Sequence, residues 1–194
     1  MMDPEQRFNT TLSAGVDLES RRVYIVGEID QEAVARTIIG LNLLNESNGQ
    51  IFLTLSSNGG SEKLGFAIYD AIQQSRCSVV IEGIGGVESI AVLVLQAGSI
   101  RRISENCRLM IHNGSMEVKG EMGAKEFIAF AKDTERLSDV FNAIVGRRAG
   151  VSKEKIQQMC DAETYFSAIE AVRFGLADEI IPARPRGRQR RRAA

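Results

Sequence analysis

Short runs rich in β-branched residues alternate with helix-like segments along most of this 194-residue chain. Three such runs span residues 22–27, 51–55 and 78–84, and a helical pattern of apolar residues follows each of them. Parallel strands need a long crossover connection, which is usually a helix. The alternation therefore predicts an α/β fold of βαβ units around a largely parallel sheet.

Later segments extend the same pattern. Residues 108–111 and 179–181 have the composition of further strands. Helices are expected over residues 30–45, 63–74, 120–148, 152–160 and 167–175, with N-caps at Asp30, Ser152 and Ser167. The segment 120–148 is polar and only thinly apolar at its start, so we expect it to project from the body or to pair with another subunit.

Composition divides the chain into three regions. Residues 1–20 are polar and aperiodic and are predicted to form a flexible arm, whereas residues 21–182 are predicted to form one domain. Residues 183–194 carry six arginines and no acid, and are predicted to be disordered. Such a tail can contact nucleic acid or an acidic partner, but its composition favours a solvated end. Nucleic acid is therefore not an expected partner.

Several classes of protein are disfavoured by composition. No apolar run is long enough to span a membrane, and the first residues lack the apolar core of a signal peptide. The cysteines, Cys77, Cys107 and Cys160, are odd in number and far apart, which argues against a disulfide framework or a zinc site. We therefore expect a cytoplasmic protein with no metal and no cofactor.

Ser89 lies at the junction between a predicted strand and an apolar helix. A glycine pair and Glu88 precede it, and Ile90 begins the apolar segment. Free N–H groups and the helix dipole favour negative charge at such a position. A nucleophile that generates an oxyanion is well placed there, although an N-cap is the commoner role for a serine.

His112 is the only histidine of the chain and follows the predicted strand 108–111. A histidine at a strand end is usually structural. It is, however, the only side chain here whose unshifted pKa lets it take a proton from a serine near neutral pH. A histidine that acts as the base for a serine also needs an acid that orients it, and Asp161 and Glu163 are the acids available downstream.

A glycine pair after the second strand is the remaining element. Ser57-Asn58-Gly59-Gly60-Ser61 is typical of a plain turn, and no Gly-Lys-Ser/Thr follows, as a phosphate-binding loop requires. Consecutive glycines also let backbone N–H groups approach a ligand closely. The functional interpretation is an oxyanion hole formed by the N–H groups of Gly60 and Ile90.

Together these motifs resemble the ClpP family of self-compartmentalising serine peptidases, over residues 22–182. Ser57-Asn58-Gly59-Gly60-Ser61 is similar to the family's Ser-Pro-Gly-Gly-Ser, and Gly85-Gly-Val-Glu-Ser-Ile90 to Gly-x-Ala-Ala-Ser-Met. Met110-Ile111-His112 is similar to Met-Ile-His, and residues 163–176 to the segment that carries the family's acid. The sequence around the acid resembles that of phage and prophage relatives more than that of the housekeeping enzyme.

The resemblance implies a spiral of ββα units with a projecting handle at about residues 114–148. It also implies catalysis by Ser89, His112 and Glu163, with Gly60 and Ile90 at the oxyanion. Substrate would lie as an added strand beside Ser61, Gly114 and Ser115. The implied assembly is a homo-oligomeric ring, usually a heptamer and often doubled, which receives unfolded protein from an ATP-driven unfoldase.

The sequence departs from the family at four positions. Asn58 replaces proline, Glu88 replaces a small residue beside the nucleophile, and Glu163 replaces aspartate, which leaves Asp161 as an alternative acid. Ala162 replaces an arginine involved in contacts between rings, which bears on the double ring more than on the single ring.

Two alternatives to an active peptidase follow from these observations. One is a catalytically inactive ring subunit, for which Glu88 and the changed acid argue. The other is an acyl-CoA enzyme of the crotonase type, which shares the ββα spiral and the oxyanion hole but needs no serine nucleophile. The pairing of Ser89 with His112 argues against the second.

Overall fold

The computed structural model describes residues 3–114, 121 and 123–183. These residues form a single mixed sheet flanked by helices. Its strands are β1 Val16–Asp17, β2 Arg22–Val26, β3 Ile51–Ser57, β4 Val79–Glu88, β5 Ile100–Ser104, β6 Arg108–Ile111, β7 Thr164–Phe166 and β8 Glu179–Ile181. The helices are α1 Pro4–Ala14, α2 Gln31–Leu44, α3 Glu62–Gln73, α4 Ile90–Gln96, α5 Ala124–Ala149, α6 Lys153–Asp161 and α7 Ala168–Phe174.

The sheet has the strand order β1-β2-β3-β4-β5-β8, and β6 pairs with both β4 and β7. All neighbours from β2 through β5 to β8 pair in parallel, as does β6 with β4, whereas β1 and β7 are antiparallel to their partners. The predicted parallel α/β architecture is thus confirmed for the central strands.

The core lies between this sheet and the helices packed on it, chiefly α2, α3 and α4. Every second residue of β3 is buried, and α4 is buried along its whole length, which an apolar helix requires. The long helix α5 differs, because only Phe141, Asn142, Val145 and Gly146 near its end are buried. The first half of α5 therefore contributes little to the core, as the sparse apolar residues of this segment predicted.

β4 changes its neighbour partway along its length. Residues up to Gly83 pair with β5, whereas Gly86, Val87 and Glu88 pair with β6. At the same place the register with β3 shifts, since Leu55 faces Gly83 but Ser57 faces Val87. β4 is consequently longer than the predicted run 78–84, and its end lies beside β6.

The expectation of an arm without regular structure is wrong for residues 4–17. Asp3 caps α1, Pro4 occupies its first turn, and Gly15 ends it in the left-handed conformation. Arg7 then forms ion pairs with Asp17 in β1 and with Glu19. These contacts attach α1 to the edge of the sheet.

Other expectations have mixed outcomes. The strands β5 and β7 were not predicted, whereas the caps at Asp30, Ser152 and Ser167 are confirmed, Ser167 as part of a capping box with Glu170. Residues 184–194 of the predicted tail 183–194, and residues 115–120 at the start of the predicted handle, lie outside the described residues.

The three cysteines are free thiols. Burial raises the pKa of the Cys107 thiol to about 11 and that of Cys160 to about 12, so both are neutral at physiological pH. Within the described ranges, no helix has the length and the apolar composition needed to cross a membrane.

Candidate active site

Ser89 occupies a strained turn between β4 and α4. Its φ of 56° and ψ of −131° lie in a region that non-glycine residues rarely adopt, at a cost on the order of 1–3 kcal/mol. Its N–H donates to the carbonyl of Met110 at 2.8 Å, and its carbonyl accepts from the N–H of Val92 at 3.0 Å. Ser89 occupies the N-cap position of α4, but its side chain forms no capping bond, so its hydroxyl does not act as a cap.

His112 lies at the same edge of the sheet because β6 runs parallel to the end of β4. Glu88 faces Met110, which brings the residues that follow both strands together. Nε2 of His112 lies 2.8 Å from Oγ of Ser89. In the tautomer with the proton on Nδ1, Nε2 accepts the hydroxyl proton of the serine, the geometry of a general base.

Two adjacent glycines are closely packed, Gly59 against the serine turn and Gly60 against the backbone of Ile29. Gly59 has a φ of 102°, and a Cβ there would lie 2.7 Å from Cβ of Ser89. Gly60 has a φ of 148°, and a Cβ there would lie 2.5 Å from the carbonyl oxygen of Ile29. Both positions therefore need glycine for their backbone conformation and for space.

The N–H groups predicted to bind an oxyanion belong to Gly60 and Ile90. Gly60 lines a cavity together with Ser89 and His112. Ile90 is the first residue of α4, where the N–H has no acceptor within the helix. Within the described part of the chain, the Gly60 N–H has no backbone acceptor either.

No carboxylate bonds to His112 within the described residues. Oε1 of Glu163 accepts a hydrogen bond of 2.6 Å from the hydroxyl of Tyr165. Oδ1 of Asp161 accepts from Asn113 at 2.8 Å and from Gln157 at 2.7 Å. The structure thus brings Ser89 and His112 together but joins neither candidate acid to the imidazole.

Glu163 is nevertheless close to His112 in the sheet register. β7 is antiparallel to β6, with Thr164 opposite Ile111, so the next pair in register would be Glu163 and His112. Glu163 has a φ of 46°, which ends the regular pairing at that point. The direction of its side chain, rather than its place in the chain, separates its carboxylate from His112.

The extra carboxylate of Glu88 is paired. Nη2 of Arg108 lies 3.5 Å from Oε1 of Glu88, and the Arg108 guanidinium also stacks 5.0 Å from the ring centroid of Tyr165. The positive charge of Arg108 offsets the negative charge beside the nucleophile.

A cavity of about 330 Å³ adjoins the Ser89–His112 pair. The predicted substrate-binding residues Ser61 and Gly114 line it, whereas Ser115 lies outside the described residues. Its far wall is one face of α5, with Phe130, Thr134 and Leu137 at helical spacing.

Glu62 also lines this cavity and was missed by the sequence analysis. Burial raises the pKa of its carboxyl group, and the neighbouring His112 opposes that shift. Its position directly after Gly60-Ser61 was the one available signal. Within the described residues, no group of three or more His, Cys, Asp or Glu side chains is arranged to hold a metal ion.

Comparison with known proteins identifies the family and the fold. A family model described as Clp protease matches residues 6–184. A solved structure of a mutant ClpP1 from Listeria monocytogenes is similar at a TM-score of 0.79 and 29% sequence identity. The alignment covers 90% of this chain and 96% of that chain. The fold class predicted from the motifs is confirmed.

Proposed function

Because the chain belongs to the Clp protease family, we propose that it is a serine endopeptidase that cleaves unfolded proteins inside an oligomeric chamber. The observation that carries this proposal is the 2.8 Å separation between Nε2 of His112 and Oγ of Ser89. A hydroxyl is a weak nucleophile until a base takes its proton, and this pair has the required geometry.

The reaction begins when Oγ of Ser89 attacks the carbonyl carbon of the scissile peptide bond and its proton passes to Nε2 of His112. The carbonyl oxygen becomes an oxyanion, which the N–H groups of Gly60 and Ile90 stabilise. The protonated His112 then donates its proton to the leaving amine, which leaves an acyl group on Ser89. A water molecule, activated by His112 in the same way, releases the acid product and restores the serine.

Glu163 is the proposed orienting acid for His112. An acid at Nδ1 fixes the tautomer in which Nε2 can accept a proton, and it stabilises the imidazolium that forms. The register of β7 against β6 supports Glu163, because the next pair in that register would be Glu163 and His112. Asp161 is instead held by Asn113 and Gln157. The role requires the Glu163 carboxylate to leave Tyr165 and turn toward the imidazole.

Substrate is proposed to bind as an added strand beside Ser61, Gly114 and Ser115. Main-chain hydrogen bonds of an extended peptide would then supply affinity without demanding a particular sequence. This mode suits a peptidase that acts on many unfolded proteins.

Assembly into a homo-oligomeric ring, a heptamer fed by an ATP-driven unfoldase, is proposed from the family. Exposed apolar side chains on α5 support a contact between subunits, since Phe127, Ile128 and Val140 are each more than 40% exposed in the isolated chain. Residues 21–182 are proposed to be the peptidase domain.

Labelling with a fluorophosphonate, followed by native mass spectrometry, tests the proposal. We expect one label per subunit at Ser89, loss of the label in Ser89→Ala and His112→Ala, and retention in Ser13→Ala, a serine of α1 that does not line the cavity. The purified assembly should also cleave a denatured, fluorescently labelled protein. Absence of both labelling and cleavage in an intact ring would overturn it.

A catalytically inactive ring subunit is the second candidate. The observation that favours it is the lack of a carboxylate bonded to His112 among the described residues. Under this alternative, native mass spectrometry would find the ring while labelling at Ser89 stays at the level of the His112→Ala variant.

A further inference from the structure

Glu62 places a carboxylate beside the Ser89–His112 pair. It is the first residue of α3, directly after Gly60 and Ser61. Its side chain lies against the backbone two residues beyond His112, because a Cβ added at Gly114 would come within 2.1 Å of Oε1 of Glu62. Glu62 lines the 330 Å³ cavity and also the narrower recess behind Ser89.

Two carboxylates line this cavity, and only one of them is paired with a basic side chain of the described segments. Asp133 forms a salt bridge with Lys63, at 3.4 Å between Oδ2 and Nζ. Glu62 has no salt bridge to a lysine or arginine of the described segments. It is only partly exposed, and burial raises the pKa of its carboxyl group. A half-buried carboxylate of this kind is stabilised when a bound ligand supplies a cation.

The remaining walls suit the stem of a long basic side chain. Phe130 and Leu137 of α5 present apolar surface opposite Glu62, and Thr134 lies between them. Lysine and arginine bury their methylene stems on apolar surface while the charged end reaches a polar partner. The side chain nearest Ser89 throughout the reaction is that of the residue whose carbonyl is attacked.

We propose that Glu62 makes this cavity selective for a lysine or arginine at the residue immediately before the scissile bond. The inference rests on the proposed peptidase function and adds its substrate class. Glu62 is a specificity-determining residue in this scheme, and it recognises the substrate cation by charge and hydrogen bonding across the cavity.

Matched fluorogenic peptides that differ only in lysine or norleucine before the cleaved bond test the inference. Norleucine has the same stem without the charge. We expect the wild-type ratio of kcat/KM, lysine over norleucine, to fall at least about tenfold in Glu62→Gln. Glu135→Gln, which makes the same change at an exposed position of α5 that does not line the cavity, should leave the ratio unchanged.

A binding measurement separates this inference from the proposed chemistry. Product-like peptides that end in lysine should bind the Ser89→Ala protein at least about tenfold more tightly than those ending in norleucine. The difference should vanish in the Glu62→Gln/Ser89→Ala double variant. This readout needs no catalysis, so it holds even if labelling at Ser89 fails and the peptidase proposal falls.

Two results would overturn the inference. Equal loss of kcat/KM on both peptides in Glu62→Gln would make Glu62 a positioning residue for His112. Equal binding of the two product-like peptides, with labelling at Ser89 intact, would remove the basic specificity and leave the peptidase proposal standing.

Discussion

The hydroxyl of Tyr165 donates a 2.6 Å hydrogen bond to Oε1 of Glu163 and thereby holds this carboxylate away from His112. Glu163 directly precedes β7 and is separated from Tyr165 by one residue, and Arg108 stacks on the Tyr165 ring. The proposed catalytic acid is therefore bound by a side chain of the strand that follows it. Conversion to a complete triad requires this one bond to break.

We accordingly predict that Tyr165→Phe raises kcat/KM on a fluorogenic peptide severalfold, because it removes the hydrogen bond that holds the Glu163 carboxylate away from His112. Phenylalanine keeps the ring on which Arg108 stacks. The gain should disappear in Tyr165→Phe/Glu163→Gln and persist in Tyr165→Phe/Asp161→Asn. Lower activity in Tyr165→Phe would mean that Tyr165 supports the site instead.

A second prediction concerns the contact between Gly59 and Ser89. Gly59→Ala introduces a Cβ 2.7 Å from Cβ of Ser89, so it should displace the nucleophile and lower kcat/KM by about 100-fold. Gly27→Ala is the matched control, because Gly27 has a similar φ of 97° with nothing within 4 Å of an added Cβ. Gly27→Ala should lower the free energy of unfolding by about 1 kcal/mol through backbone strain and leave kcat/KM within about threefold of the wild-type value. Similar activity in the two variants would contradict the steric explanation.

The third prediction compares two adjacent ion pairs between β5 and the β8 region. The Arg101 side chain is only 6% exposed and pairs with Asp178, whereas the neighbouring Arg102–Glu179 pair is 35% and 52% exposed. Asp178→Ala leaves a buried guanidinium without its carboxylate and should lower the free energy of unfolding by about 2–3 kcal/mol. Glu179→Ala should lower it by less than about 1 kcal/mol in the same urea titration. Equal losses of unfolding free energy in the two variants would show that the burial of Arg101 does not determine the cost of removing its partner.

The fourth prediction is a pH dependence at the N-terminal edge. Burial alone would raise the pKa of Asp17, but hydrogen bonds from Arg7 and Ser20 outweigh it and lower the pKa from 3.8 to about 2. A depressed pKa stabilises the fold fully above the unfolded value and loses that stabilisation as the pH falls through the folded value. Asp17→Asn should therefore be less stable than wild type by about 1–2 kcal/mol at pH 6, after allowance for the exposure of Arg7.

This difference should shrink between about pH 4 and pH 2, measured by urea unfolding. Glu19→Gln serves as the control, because Glu19 contacts the same Arg7 but is exposed. A difference between wild type and Asp17→Asn that stays constant across this window would exclude the ionised carboxylate as its cause.

Much of the fold is predictable from the sequence because its signals are local. The caps at Asp30 and Ser152 bind N–H groups three residues ahead, at 2.8 and 3.2 Å, and need no distant partner. α1 escaped prediction because none of its residues is buried, so no apolar period marks it, although Asp3 and Pro4 carried capping signals. β5 and β7 are short, and partners distant in the sequence define them.

The same difference between local signals and tertiary contacts decides which parts of the site could be predicted. The Ser89–His112 pair was predictable because each residue ends a recognisable strand, and parallel pairing brings those ends together. The direction of the Glu163 side chain was not, since it depends on a left-handed backbone and on one hydrogen bond to Tyr165. Glu62 was missed because only the tertiary packing of α3 against Gly114 brings it to the cavity.

The change of partner along β4 has a consequence for how this sequence can diverge. Between Gly83 and Val87, β4 has two more residues than the segment of β3 that pairs with it. After these extra residues β4 pairs with β6 instead of β5, which places Ser89 beside the end of β6. Losing one residue there should reverse the faces of the remaining β4 residues and separate Ser89 from His112, while the first half of β4 stays in the core. Insertions and deletions in this stretch should thus be far more damaging than substitutions at Ile84, which is exposed.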